Sequence, residues 1–347
     1  MSAESPMIDV RHLHRSDEQA DAGDSEEIEA DADLGAWPEE IETRYYADSA
    51  MTIPGMGERG MNCGEWYPAE FCESCGTVHP GTSRCQQRGC PDCWTTWTGN
   101  RAEAIVRRLT AYRFAQPPTK ERRAVHAVAS PPTGSITSLT DVKRYRRKAQ
   151  ERLKEAGVRG GVMVFHGFRI KKEVKEVYAD LKEADAVEGG IWQYVRENGR
   201  DWRSQTYWSP HFHIIGVAPE FEPDEGDDWV IRRLSTAGRL ETLRDGEAYR
   251  SVARMGRYIL SHATFEPDGM RAVSWFGAVH STQFDPEEEL SPGALSVIER
   301  KAAAAVGRED YEEEAEESPK CREDACNGEL RKIWDANLFL GNAEWVE

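Results

Sequence analysis

The sequence predicts an α+β fold: an antiparallel-rich sheet with helices on one face, preceded by a small cysteine-rich module. Three observations carry this expectation. Apolar runs between residues 124 and 218 follow the order strand, helix, strand, strand, which favours antiparallel neighbours over alternating βαβ units. Six of the eight cysteines fall within residues 63–93. The 347 residues leave room for more than one domain, and 39% hydrophobic content supplies a core for part of the chain.

Residues 1–60 read as an acidic, largely disordered segment, because residues 1–40 hold thirteen Asp or Glu against two Arg and such a stretch has little apolar surface to bury. No run reaches the roughly 20 apolar residues of a membrane span, and the N-terminus lacks a hydrophobic signal segment. A soluble cytoplasmic protein with no membrane partner is expected. A net charge of -18 would exclude a nucleic-acid partner if it were evenly spread. It is not. Residues 220–228 hold six acids and 309–317 hold seven, whereas 101–154 hold fourteen Lys or Arg against four acids. The positive field is local, so nucleic acid stays admissible.

Residues 61–98 form the expected zinc module. Cys72-x-x-Cys75 and Cys90-x-x-Cys93 are two knuckles separated by fourteen residues, close to the spacing of a structural Zn2+ site with four thiolates. Cys63 or Cys85 could replace one member, with His79 a weaker substitute. A redox role for the thiols is the lesser alternative. The second knuckle runs into CWTTWTGNRAEAIVRRLTAYR, where Trp94, Trp97, Ala104, Ile105, Leu109 and Tyr112 recur at helical spacing. Arg101, Arg107, Arg108 and Arg113 occupy much of the other face, for phosphate contact or for simple solvation.

Residues 99–285 form the expected catalytic domain. AVHAVAS (124–130) is a strand ended by two prolines, and residues 138–157 are a basic helix closed by Gly157. That helix carries Arg144, Arg146 and Arg147 as candidate DNA contacts. GVMVFHGFRI (161–170) is a second strand, residues 171–205 a helical and loop insertion, and TYWSPHFHIIGVA (206–218) a third strand. Pro210 should mark the beginning of that third strand, since proline cannot donate to a ladder. EAYRSVARMGRYILSHATF (247–265) is a helix with Val252, Met255 and Ile259 inward, and Tyr258 and His262, at i and i+4, share one face. Residues 286–320 read as an acidic linker. In the C-terminal segment 321–347, Cys321-x4-Cys326 is either half of a zinc site completed by a distant ligand or a pair of free thiols, and Ile333, Trp334, Leu338 and Phe339 suit docking onto the body.

Chemistry enters with SPHFHIIGV (209–217). Alternate side chains of a strand share a face, so His211 and His213 project together, as two ligands of one metal must. His166, in the middle of an apolar strand, is the preferred third ligand over His126 in the first strand. For either, a buried histidine bonded to backbone is the competing reading.

These features together resemble the HUH endonucleases. PHFHII matches their His-hydrophobe-His motif, CxxC followed by CPxCW is similar to the zinc region of archaeal plasmid initiators, and RxxxYxxSH (Arg254 to His262) resembles their tyrosine motif. The match covers residues 61–285. The surplus of carboxylates and the bias to 33 Arg over 11 Lys are similar to the composition of salt-loving microbes, where a Debye length near 3 Å in molar salt makes DNA binding lean on specific contacts. The resemblance implies an HUH/RRM-like fold and a single-tyrosine rolling-circle replication initiator of a haloarchaeal plasmid or virus. It further implies that Tyr258 attacks a DNA phosphodiester to leave a 5'-phosphotyrosine, that Mn2+ or Mg2+ is held by His211, His213 and a third ligand, and that Arg254 contacts DNA. His262 stands where many single-tyrosine relatives have lysine, and would position the phosphate or relay a proton. Single-stranded and origin DNA are the implied partners, with a helicase and polymerase from the host, since no GxxxxGK[ST] loop is present. The alternatives are an HUH transposase and a non-enzymatic zinc-containing DNA-binding protein.

Overall fold

The structure is a computed structural model, and it describes residues 51–116, 123–132, 134–225, 229–239, 246–266, 272–307, 320–321, 326 and 328–332. The chain enters with an antiparallel hairpin, β1 (Trp66–Cys72) and β2 (Val78–Thr82), followed by helix α1 (Trp94–Ala115). Next come β3 (Arg123–Ser130), α2 (Leu139–Glu155) and β4 (Gly160–Ile170). The insertion supplies α3 (Lys172–Glu183) and α4 (Ile191–Glu197) before β5 (Thr206–Ala218), β6 (Asp224–Glu225) and β7 (Val230–Arg239). The remainder includes α5 (Gly246–Ser261), β8 (Val273–Gly277), a single helical turn at Pro286–Glu289, α6 (Pro292–Ala305) and β9 (Leu330–Lys332).

Six strands form one sheet in the order β6-β7-β3-β5-β4-β8, with every neighbouring pair antiparallel. The three histidine-bearing strands, β3, β5 and β4, therefore lie side by side, with β5 in the middle. Helix α2 starts where local chemistry starts it: Ser138 Oγ accepts from the Asp141 amide at 3.1 Å, and Asp141 Oδ2 accepts from the Thr137 amide at 3.2 Å. This arrangement satisfies orphan donors of the first turn.

The expectation of helices on one face is corrected. Phe165, Phe212 and Ile214 pack with Val142 and Leu153 of α2 and with Val174 of α3 in one core. Val164, Ile215 and Val217 pack with Leu109 of α1, Ile259 of α5 and Ala302 of α6 in another. Every residue of β4 is buried, and a strand buried on both sides reads as a continuous apolar run rather than an alternating one.

Three boundaries also move. Residues 1–50 lie outside the described residues, but Met51 and Ile53 are buried, and Thr52 exchanges backbone hydrogen bonds with Phe265 at 2.8 and 3.0 Å. Residues 51–57 thus belong to the folded body rather than to an acidic tail. The stretch 286–307, expected as linker, contains α6, whose Ile298 and Ala302 are buried in one core with α1 and α5; the acidic run 309–317 lies outside the described residues. Pro210 sits inside β5 rather than at its start. The register passes from His166↔His211 to Phe168↔Trp208, so Gly167 faces both Ser209 and Pro210 in a bulge. On the other side β3 pairs with β5 only as far as Phe212. The missing N–H of Pro210 therefore interrupts no ladder bond.

Of the C-terminal segment, β9 pairs antiparallel with β1, while Ile333, Trp334, Leu338 and Phe339 lie outside the described residues. No helix among the described residues is long and apolar enough to cross a membrane.

Candidate metal centre and nucleophile

Five of the nine histidines meet on one face of the sheet. Because side chains alternate along a strand, His126 of β3, His166 of β4 and His211 and His213 of β5 all point toward the layer of α1, α5 and α6. His262, immediately after α5, closes the group. All five are buried.

Hydrogen bonds fix the lone pairs. His211 Nδ1 donates to the Ser209 carbonyl at 2.7 Å, so a neutral ring presents an unprotonated Nε2. That nitrogen lies 3.1 Å from Nε2 of His213, whose Nδ1 is 2.8 Å from Nε2 of His126. His166 Nε2 donates to the Ile259 carbonyl at 2.7 Å, which leaves its Nδ1 as a lone pair buried without a hydrogen-bond partner. His166, His211 and His213 each offer a ligand atom, all within 4.8 Å of one another, and this triad could hold a metal ion. Two imidazole nitrogens about 2.1 Å from a shared ion stand roughly 3.0–3.4 Å apart, which matches the His211–His213 contact. His126 is placed behind His213, where it can accept the Nδ1 proton once Nε2 is committed to a ligand.

The rings are held neutral, the form a ligand needs. Burial pushes His166 down to about 3, and burial, followed by the charge of neighbouring groups, holds His211, His213 and His262 well below the ordinary histidine value.

Tyr258 is half-buried on α5, with its ring 6.4 Å from His213, 6.5 Å from His126 and 4.8 Å from His262, centroid to centroid. The segment after α5 is laced to β4 on both sides of His166: the Thr264 amide donates to the Phe165 carbonyl at 2.8 Å, and the Gly167 amide donates to Thr264 Oγ1 at 2.7 Å. These bonds fix the end of α5 against β4, with the Tyr258 ring beside His213 of the triad. His262 is stacked on Trp192 of the insertion at 4.8 Å and 8°. Arg196, one turn further along α4, donates to the carbonyls of Pro54 at 2.8 Å, Trp192 at 2.7 Å and Ser261, and its guanidinium lies 4.2 Å from the Trp94 ring centre. Trp192 and Arg196 carried no sequence signal, since an insertion offers neither motif nor clear period.

The expected cysteine tetrad is corrected. The structure places Cys90 and Cys93 with Cys63 and Cys85, and places Cys72 and Cys75 with Cys321 and Cys326; each group of four could hold a metal ion. Linear spacing joined the two knuckles, but β1 and β2 carry Cys72 and Cys75 away as the tip of a hairpin. A knuckle's partner is chosen in space rather than along the chain.

The expected DNA contacts are divided by the sheet. Arg144, Arg146 and Arg147 lie on α2, on the side opposite the histidines. Arg144 pairs with Asp141 at 2.6 Å and Arg147 is exposed, while burial lowers the pKa of Arg146. Arg254 is exposed on α5, one turn before Tyr258. On α1, Arg107 pairs with Glu299 at 2.9 Å, Arg108 donates to the Val279 and Phe284 carbonyls at 2.6 Å each, and Arg113 is buried. Intramolecular contacts thus occupy three of the four arginines read there as phosphate-facing or solvated.

Comparison with known protein families, with curated proteins and with solved structures gives no match to the chain.

Proposed function

We propose that the protein is a metal-dependent DNA endonuclease of the HUH class, with an HUH/RRM-like catalytic domain, that nicks and rejoins single-stranded DNA as a replication initiator. The observation that carries this reading is the half-buried side chain of Tyr258, whose ring lies 6.4 Å from that of His213 in the buried imidazole triad. A tyrosine on one element and an all-nitrogen metal pocket on two adjacent strands suit phosphodiester transfer better than simple DNA binding, which needs neither.

In the proposed step Tyr258 Oη attacks phosphorus, forming a P–Oη bond while the P–O3' bond breaks. The phenol proton passes to solvent, and the leaving 3' oxygen takes one up to become a 3'-hydroxyl. A divalent cation held by His166, His211 and His213 would supply positive charge to the scissile phosphate and help the Tyr258 phenol to ionise. His126 orients His213 through the Nδ1 contact. His262, held uncharged by burial and fixed by Trp192, orients the phenol and the phosphate rather than storing a proton. Arg254 would meet the strand beside Tyr258. Of the two expected ions, Mn2+ suits three imidazoles better than Mg2+, which prefers oxygen ligands.

The test is incubation of the purified protein with Mn2+ and a labelled single-stranded origin oligonucleotide. A nick accompanied by a label that stays on the protein through denaturation supports the reading. Tight binding with neither product supports a DNA-binding protein instead.

A further inference from the structure

We infer that the chain holds two structural zinc ions rather than one, and that the second, on Cys72, Cys75, Cys321 and Cys326, is a clasp that fastens the C-terminal strand to the zinc module. This inference does not depend on the nuclease reading.

The sulfur spacing suits metal in both groups. Four thiolates about 2.3 Å from a common zinc stand roughly 3.8 Å apart, whereas disulfide sulfurs are about 2.05 Å apart. Cys63 Sγ lies 3.5 Å from Cys90 Sγ and 3.4 Å from Cys93 Sγ, while Cys72–Cys326 and Cys75–Cys321 are each separated by 3.6 Å. Neither group contains a disulfide.

The second group is built on both sides. On the hairpin, the Gly76 amide donates to the Cys72 carbonyl and the Cys72 amide to the Thr77 carbonyl, both at 2.9 Å, with Gly76 at φ 76. This turn aims both thiols the same way. On the C-terminal side, the Cys321 amide donates to the Gly328 carbonyl at 2.8 Å, and Lys320 bridges Glu329, which ties Cys321 to the residues just after Cys326. The hairpin turn and the C-terminal segment meet at Gly328, where a Cβ would lie 2.6 Å from Cys72 Sγ and 2.5 Å from Ser74 Oγ. Only glycine permits that approach. His79 Nε2 lies 3.3 Å from Cys321 Sγ, placed to donate to a metal-bound thiolate from outside the tetrad.

The clasp has work to do. Among the described residues, β9 pairs with β1 through a ladder of three residue pairs, and so short an edge strand is marginal alone. The first tetrad involves no residue beyond Cys93, so the two sites are separable.

The experiment is zinc counting on the full chain, by titrating thiols with a mercurial while reading released zinc with a colorimetric chelator. The native protein should release two zinc ions as its eight thiols react, and the Cys321→Ser/Cys326→Ser double variant should release one. In that variant, amide exchange at residues 328–332 should rise at least tenfold, with exchange in β4 and β5 unchanged as the control for folding. His79→Ala should still release two. Release of a single zinc by the native protein, an undiminished count in the double variant, or a disulfide-linked peptide joining Cys72 or Cys75 to the C-terminal segment would each overturn the clasp. Gly328→Val, which leaves all thiols in place, should lower occupancy of one site only; full occupancy of both would count against the packing argument.

Discussion

Nε2 of His211 faces Nε2 of His213 at 3.1 Å, and the two nitrogens cannot both be bare without repelling. In the absence of a cation, a proton on His213 Nε2 can be donated to His211; a cation between them requires that proton to move to Nδ1, toward His126. The geometry of the pair is thus compatible with a shared proton and with a shared ion.

The first prediction is thermal. Mn2+ should raise the melting temperature of the protein, and His211→Ala should abolish that rise. At a hundredfold excess over the dissociation constant the stabilisation is about 2.7 kcal/mol, worth roughly 5–10 °C for a domain of this size. Mg2+ should need a higher concentration for the same rise. Scanning calorimetry with each ion checks both statements, and an equal rise in His211→Ala would remove the triad from the account.

A second prediction concerns pH. The folded-state values of His166, His211, His213 and His262 are lowered, so the unfolded chain, titrating near 6.5, takes up protons that the folded chain refuses. This contribution is level above about pH 6.5 and costs stability as pH falls from there toward the folded value, which for His166 is about 3. Each buried histidine adds up to about 1.4 kcal/mol per pH unit to the slope. Urea unfolding between about pH 7 and pH 5, without added divalent ion, should show the loss, and His166→Gln should flatten the slope by about one proton.

Much of this centre was legible beforehand, and the reasons differ by residue. His211 and His213 were visible because a period of two puts both on one face, and Tyr258 because a four-residue step ties it to His262. His166 is preferred to His126 from sequence, but the deciding relation is spatial: β5 lies between β3 and β4, and it is His166 whose ligand atom falls within 4.8 Å of those of both His211 and His213. Trp192 and the partners of Arg196 were hidden, because their roles arise from packing between segments far apart in sequence. The cysteine pairing went astray for the same reason.

The bulge at Gly167 yields a third prediction. A Cβ there would run into the ring of Trp208, which is fully buried and cannot yield cheaply. Gly167→Ala should destabilise by about 1–3 kcal/mol and, by shifting His166, weaken Mn2+ binding. Denaturant titration and calorimetric Mn2+ titration of the same variant test the two effects, and unchanged affinity would mean that the bulge does not aim the ligand.

Arg196 provides a fourth. Its guanidinium ties the entry segment, the insertion and the end of α5 through the Pro54, Trp192 and Ser261 carbonyls. Lysine cannot span three acceptors from one rigid fork. Arg196→Lys should cost about 3 kcal/mol and loosen the stack of Trp192 on His262, visible as faster amide exchange after residue 261.

The most direct test of the central claim is to digest the protein after reaction with a single-stranded origin oligonucleotide and Mn2+, and to locate the nucleotide-bearing residue by tandem mass spectrometry. The account predicts a 5'-linked nucleotide on Tyr258, absent from Tyr258→Phe even though that variant still binds Mn2+. A nucleotide on any other side chain, or cleavage that proceeds in Tyr258→Phe, would contradict it.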